Sequence, residues 1–353
     1  MKLAKSSIDR IPEFVHNTGN QLSEFKSRVN TLPRGMFIDK PIFHITTDQP
    51  MVLDIDVRIN QGRPWFAYPI PDDFSIDAWA GKTGTSQSAL PFAKGEPLTD
   101  IGEGYPWLLP RHRQKHSLAS PTLSAVGLRW QSLIVTPEKL DHLQLPTVSA
   151  DPKYDWWKRL RQVESSYIAN KNETEKFLYY DGPTLAKSPL KFQLTDKDTL
   201  ELTHQPIFDN TYEFNVDKKR DLPPSRSAFF VRVTADSVTG HRFEANEKLQ
   251  AIKKETLSLL DSNVLAEDKL RAGIMDQILE AGLNKSEANG LMDCWAEQWF
   301  ETPGERVIFL LTREEYNKMC PITIRPRPTN FQRVGLVFTE LDANNQDKVN
   351  SDD

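Results

Sequence analysis

The six residues Arg111-His112-Arg113-Gln114-Lys115-His116 set two imidazoles four positions apart, the spacing with which a histidine pair grips one metal ion from a single helix face. Arg111, Arg113 and Lys115 crowd the same stretch, and their charge would repel a divalent cation. That charge suits an anion, because guanidinium and ammonium groups donate charge-assisted hydrogen bonds to carboxylate, sulfate and phosphate. A solvated basic loop has the same composition. The expectation is therefore no bound metal, with Arg111, His112, Arg113, Lys115 and His116 as candidate contacts for an acidic ligand. Aromatic residues precede this run: Trp65 and Tyr68 in PWFAYP, then Trp79 and Trp107. Flat rings stack on sugars or fill a partner's pocket because they bury a large area at small entropic cost, and they anchor cores for the same reason. Trp65, Tyr68, Trp79 and Trp107 join the candidates, for an acidic or carbohydrate ligand or a protein partner.

Two carboxylates form a second group. Asp54 and Asp56 stand two apart in an alternating run, so a strand would project them to one face. Paired carboxylates hold calcium or perform acid/base work, and a solvated strand face carries the same residues. Ala80-Gly81-Lys82-Thr83 contains the end of a phosphate-binding loop, but position 76, where that pattern needs a glycine, is Ile76. No G-x-S-x-G elbow occurs. Cys294 and Cys320 are too few for a four-cysteine zinc site and read as separate core thiols. No cofactor is expected.

Composition narrows the function classes. A chain of 353 residues predicts two or three units, and 38% hydrophobic residues suffice for real cores. The formal net charge of −5 argues against general nucleic-acid binding, whose affinity comes mostly from phosphate contacts. No apolar run approaches the ~20 residues of a membrane-spanning helix. Lys2 and Lys5 are not followed by a continuous apolar stretch, so no signal peptide is expected in the chain; a protein whose leader had been removed would read the same.

The elements that must position these groups follow from periodicity. Residues 1–34 are polar and predict a loosely packed N-terminal arm. Pro41–Thr47 predicts a strand, Asp48-Gln49-Pro50 a turn, and Leu53, Ile55, Val57 and Ile59 a strand with one buried face. The charged residues between them suggest an edge or surface strand. Residues 71–125 lack any period and predict a long surface excursion. Leu128–Val135 returns to strand, and residues 151–170 predict a short helix and a strand. Further strands are expected at Lys176–Tyr180, Leu190–Leu194, Leu200–Thr203, Tyr212–Val216 and Ser227–Thr234.

After residue 246 the period becomes helical. Asn246 is expected to cap a helix bearing Leu249, Ile252 and Leu260, and Leu270, Ile274 and Ile278 a second one that stops at Gly282. Asn284 and Glu287 are spaced as a capping box for a third, whose stripe is Ala288, Leu291, Met292, Trp295 and Trp299. Arg306–Leu311 reads as a buried strand, Thr312 and Glu315 as another capping box, and Val334–Phe338 as a last strand.

Glu175–Pro183 (EKFLYYDGP) and Cys294–Pro328 resemble elements of a group of bacterial β-rich proteins of unknown function, many of which look exported. Pro41–Ile59 and Leu128–Pro137 fall in the same order as in that group, while Asp181 stands where the group often has Arg. The resemblance implies an architecture and export, and transfers no catalytic residue.

The fold class expected is mainly β or α+β, with antiparallel sandwich-like units, a helical segment and closing strands. The divisions expected are an arm (1–34), an N-terminal β unit (35–150, with the loop 71–125), a second β unit (151–340, with the helical segment 246–302), and a disordered tail (341–353). The late strands near 305–311 and 331–340 are expected to pair back into the second unit. The leading functional expectation is a non-catalytic binding or assembly protein, associated with the cell envelope. The rival is a hydrolase using the carboxylates and loop histidines of the N-terminal unit.

Overall fold

The computed structural model describes residues 10–17, 37–38, 41–60, 64, 66–72, 127–184, 186–196, 199–204, 207, 226–245, 254–259 and 264–341. Its strands form four antiparallel sheets among the described residues, the β-rich or α+β class that the alternating patterns imply. The chain divides into two compact units, Met1–Lys187 with Asn317–Phe331, and Ser188–Tyr316 with Gln332–Asp353. The division expected near residue 150 thus falls at 187/188. The segment 151–187 stays with the first unit because its strands find their hydrogen-bond partners there. The strand predicted at Tyr212–Val216 and the tail 342–353 lie outside the described residues.

The first unit runs through β1 (His16–Asn17), β2 (Phe37–Ile38), β3 (Ile42–Phe43), β4 (Met51–Arg58), β5 (Phe66–Tyr68), β6 (Gly127–Thr136), helix α1 (Asp155–Leu160), β7 (Tyr167–Asn170), β8 (Glu173–Glu175) and β9 (Leu178–Pro183). The second contributes β10 (Leu190–Asp196), β11 (Thr199–His204), β12 (Arg226–Val233), β13 (Val238–Ala245), β14 (Lys254–Ser258), β15 (Leu265–Ala266), α2 (Glu267–Glu280), α3 (Lys285–Ala296) and β16 (Gly304–Leu311). Helix α4 (Arg313–Met319) carries the chain back to the first unit for β17 (Ile322–Arg325), and β18 (Gly335–Glu340) closes the second.

In the first unit one sheet has the order β17-β4-β6-β7-β8, and a second is built as β1-β5-β9-β2 with β3 also on β9. Leu53, Ile55, Val57 and Ile59 are buried, together with Trp130, Leu133 and Val135 of β6 and Ile322 and Ile324 of β17. The expectation of an edge or surface strand is corrected here: β4 is central, flanked by β6 and β17, and Asp56 and Arg58 on its charged face are also buried. Alternation marks a difference between two faces, and water is only one of the environments that accommodates charge.

The aromatic residues of this unit build a core. Trp157 is fully buried, with ring centroids of Phe14, Tyr68, Trp156, Phe177 and Tyr179 at 4.9–6.1 Å around it. Its Nε1 donates to Glu175 at 2.9 Å, and Arg161 holds the same buried carboxylate from the other side at 2.6 Å. Residues 10–17 of the expected loose arm are part of this packing. Phe14 meets Tyr68 edge-on at 5.0 Å, and Trp156 Nε1 donates to the Arg10 carbonyl.

In the second unit one sheet has the order β15-β13-β12-β16-β18 and the other β10-β11-β14, with Phe192 of one against Phe309 of the other at 5.9 Å. The late strands pair back as expected, β16 between β12 and β18. Leu270, Ile274 and Ile278 of α2 are fully buried, and Gly273 lets the helix lie on the Phe229 ring, where a Cβ would come within 2.8 Å. Gly282, at φ +101°, stops α2 in the left-handed region that glycine enters without strain. Asn284 and Glu287 form their capping box with bonds of 2.9 and 2.8 Å. Along α3 and the wider turn Glu297–Glu301, Met292, Trp295 and Trp299 are buried and Leu291 is half-buried.

The helix expected from Asn246 is corrected over Lys254–Ser258, which is a strand paired along its length with β11. Leu257 is the only apolar residue of that stretch, so no period could show there. Leu249, Ile252 and Leu260 lie outside the described residues.

Candidate functional site

Register puts a polar cluster on the charged face of β4. Asp56 lies opposite Arg129 of β6 on one side and Thr323 of β17 on the other. Directly paired residues of an antiparallel ladder project to the same face, so these three side chains form a row across three strands. Arg58, two residues along β4, and Arg325, two along β17, extend the row by the same period. Arg129 Nε donates to Asp56 Oδ1 at 2.6 Å, and Arg325 lies 3.5 Å from Oδ2. Asp56, Arg58 and Thr323 are 2%, 4% and 2% exposed, whereas the side chains of Arg129 and Arg325 retain 20% and 26%.

The electrostatics are those of charge held out of water. Burial pushes the Asp56 carboxyl above its ordinary value, while the hydrogen bond and charge of Arg129 and the charges of Arg325 and Arg58 pull it down. Burial also lowers Arg58 well below its ordinary value; Asp56 opposes that shift, and repulsion from Arg129 adds to it. Guanidiniums nevertheless keep their charge at neutral pH. The Thr323 hydroxyl is buried and has no hydrogen-bond partner among the described residues.

Asp54 shares this face as the direct cross-strand partner of Arg325, but on the β6 side its place differs. A bulge interrupts the β4–β6 register between Leu53 and Ile55, and Asp54 accepts the amide of Ser132 at 2.8 Å. Ser132 has φ +56°, a conformation this carboxylate helps hold. The two aspartates share one face as expected, and each positions other groups: Asp54 holds the bulge at Ser132 and lies opposite Arg325, and Asp56 meets Arg129 and Arg325.

Of the other candidates, Tyr68 is in the core. It is 3% exposed, packed by Phe14, Trp157 and the stacked ring of His16, and burial with the nearby Glu173 and Glu175 charges raises its phenol far above the ordinary value. A residue so enclosed has no surface to offer a ligand. Trp65, Trp79, Trp107, Arg111, His112, Arg113, Lys115 and His116 lie outside the described residues. The ends of the stretch that carries the last seven are described. The Asp72 amide donates to the Arg129 carbonyl at 2.8 Å, and Gly127 pairs with Arg58. Both ends are thus anchored at strand positions of the arginine cluster.

Sequence reading missed Arg58, Arg129, Thr323 and Arg325. Arg58 had a signal, as the next same-face residue after Asp56. Arg129 and Arg325 had none, because 73 and 269 positions separate them from the carboxylate they meet. Cys294 and Cys320 are free, buried thiols. No helix among the described residues is long and apolar enough to cross a membrane. No known protein family, curated protein or solved structure matches the chain.

Proposed function

We propose that this is a non-catalytic binding or assembly protein whose ligand or partner is acidic. One observation carries the reading: the guanidiniums of Arg129 and Arg325, from strands far apart in sequence, meet the buried Asp56 carboxylate on a sheet face that also carries Arg58. Gathering like charges in a desolvated place is unfavourable unless negative charge is supplied, and arginine's planar fork suits carboxylate and phosphate groups. The basic residues Arg111, Arg113 and Lys115 support the same reading, since the described residues that flank their segment, Asp72 and Gly127, pair through their backbones with Arg129 and Arg58. Their local charge stands against a net −5, so an acidic partner would be attracted to a restricted region of the surface. The Asp56 carboxylate is engaged by Arg129 and Arg325, which is how a carboxylate orients cations rather than how it accepts a substrate proton.

The test is a binding screen of the whole chain against acidic polymers, heparin and a poly-glutamate peptide among them, at low salt. Binding that weakens linearly in log K against log salt is expected, and replacing Arg111, Arg113 and Lys115 together by Ser should remove most of it while leaving the fold intact. If the unmodified protein binds no acidic polymer at low salt, the reading fails.

A further inference from the structure

We infer that the outer edge of β18 is a self-association surface, which takes the same strand of a second copy of this chain in antiparallel pairing. The inference goes beyond the acidic-partner reading and does not depend on it. Among the described residues β18 is the last strand of its sheet and pairs on one side only, with β16. Just past its end the Leu341 amide donates to the Glu305 carbonyl at 2.8 Å. Main-chain groups of an antiparallel strand alternate in direction, so Gly335, Val337 and Thr339 also turn theirs toward β16. Leu336, Phe338 and Glu340 therefore present their N–H and C=O groups at the outer edge, and all three residues are only half-buried.

The composition of this edge sets it apart. Edge strands ordinarily avoid association through a charge, a proline, a bulge or sheer shortness. Of the other described strands that end a sheet, β10 carries Lys191, β14 Lys254, β17 Arg325 and β8 two glutamates, while β1, β2, β3 and β15 have two residues each. β18 instead runs Gly-Leu-Val-Phe-Thr before its single charge, Glu340, and its register with β16 is unbroken. Charge and symmetry then favour a second copy over a foreign strand. Pairing with Phe338 on the two-fold axis sets Leu336 of each copy opposite Glu340 of the other, and engages every outward-facing residue of both strands. The Glu340 charges fall at opposite ends of the ladder, each directed toward the end that Arg333 precedes in the other copy. Phe338, which meets Trp295 of α3 at 5.4 Å, lies across from its own counterpart, and aromatic pairs directly opposite one another stabilise a ladder.

The experiment is sedimentation equilibrium of the full chain from roughly 5 to 500 µM, with amide hydrogen exchange measured at both ends of that range. A small edge interface gives a weak dimer, so a monomer–dimer equilibrium within the range is expected. At the high end the amides of Leu336, Phe338 and Glu340 should exchange about threefold more slowly than at the low end, while those of Val337 and Thr339, already bonded to β16, should change little. Leu336→Pro removes an outward N–H from each copy and no bond to β16, so it should raise the dimer Kd about tenfold and leave Tm close to the parent's. Leu336→Ala keeps the N–H and should change Kd less than about threefold. Should Leu336→Pro fail to fold, the exchange pattern of the parent decides alone. A parent that stays monomeric over the whole range leaves the edge to a foreign strand and overturns the inference. So does a dimer whose formation leaves the amides of Leu336, Phe338 and Glu340 exchanging as before, because its interface then lies elsewhere.

Discussion

Arg306 in the second unit and Arg58 in the first are both buried guanidiniums, 0% and 4% exposed, and their surroundings differ in kind. Arg306 faces the end of a helix. Beyond α3 the backbone widens into a turn closed by the Thr302 amide on the Glu297 carbonyl, and such an end leaves carbonyls without partners. Arg306 donates to the carbonyls of Gln298, Trp299 and Thr302, and its Nε lies 2.9 Å from a Glu340 oxygen, though without the alignment of a hydrogen bond. Its charge is answered by backbone dipoles and one carboxylate, all within the unit. Arg58 instead lies beside a second guanidinium, with Asp56 and an unpartnered Thr323 hydroxyl on the same face. The lesson is that burial of an arginine says little by itself. A guanidinium aimed at carbonyls completes a helix end; one on a sheet face beside other guanidiniums is held there in part through the carboxylate it shares with them.

The comparison is broken most decisively at the scaffold end. Arg306→Met should cost about 4 kcal/mol in urea denaturation, because three carbonyls and the Glu340 carboxylate lose their partner at once. An unchanged midpoint would remove the distinction between the two arginines.

Asp56→Asn should cost roughly 3 kcal/mol in urea denaturation, because Arg129 and Arg325 lose the buried carboxylate charge they meet. The loss should be smaller than that of Arg306→Met, because Arg129 and Arg325 keep partial access to water. An unchanged midpoint would refute the role given to this carboxylate.

A third arrangement of buried charge lies with His44 in the first unit, and it responds to pH. Burial pushes this imidazole down to about 4, against the Leu160 carbonyl that accepts from its Nε2 at 3.2 Å and with the Lys176 charge adding to the shift. The unfolded chain therefore takes up the proton more readily. The contribution is present in full above pH 6.5, and is lost as pH falls from 6.5 toward 4. Allowing for solvent screening of a half-buried ring, about 2 kcal/mol should disappear across that window. His44→Gln should flatten the loss. Asp56 works in the opposite direction, because its raised carboxyl gains a proton more readily folded than unfolded, so the parent's acid limb is a net of the two. An acid limb that His44→Gln leaves as steep as before would refute the assignment.

The smallest expected effect is local. Asn284→Ala removes one half of the capping box of α3 and should cost about 1 kcal/mol. A loss as large as that of Arg306→Met would show the start of this helix to matter as much as its end.

Contacts within a few residues were legible in advance. The capping boxes at Asn284 and Thr312, the stop at Gly282, the stripe of α2 and the buried run of β16 all depend on neighbours that the sequence places side by side. So did the inward face of β4, since alternate apolar residues must leave water together. Tertiary structure alone decided the rest. It made Lys254–Ser258 a strand, because β11 offered an edge; it kept residues 151–187 in the first unit; and it returned β17 to lie along β4. The assembly of the candidate site belongs to this second category, although the shared face of Asp54, Asp56 and Arg58 was legible in the sequence. Alternating charges on a strand read the same whether their face meets water or other charges, and only the register that carries Arg129, Thr323 and Arg325 to Asp56 distinguishes the two.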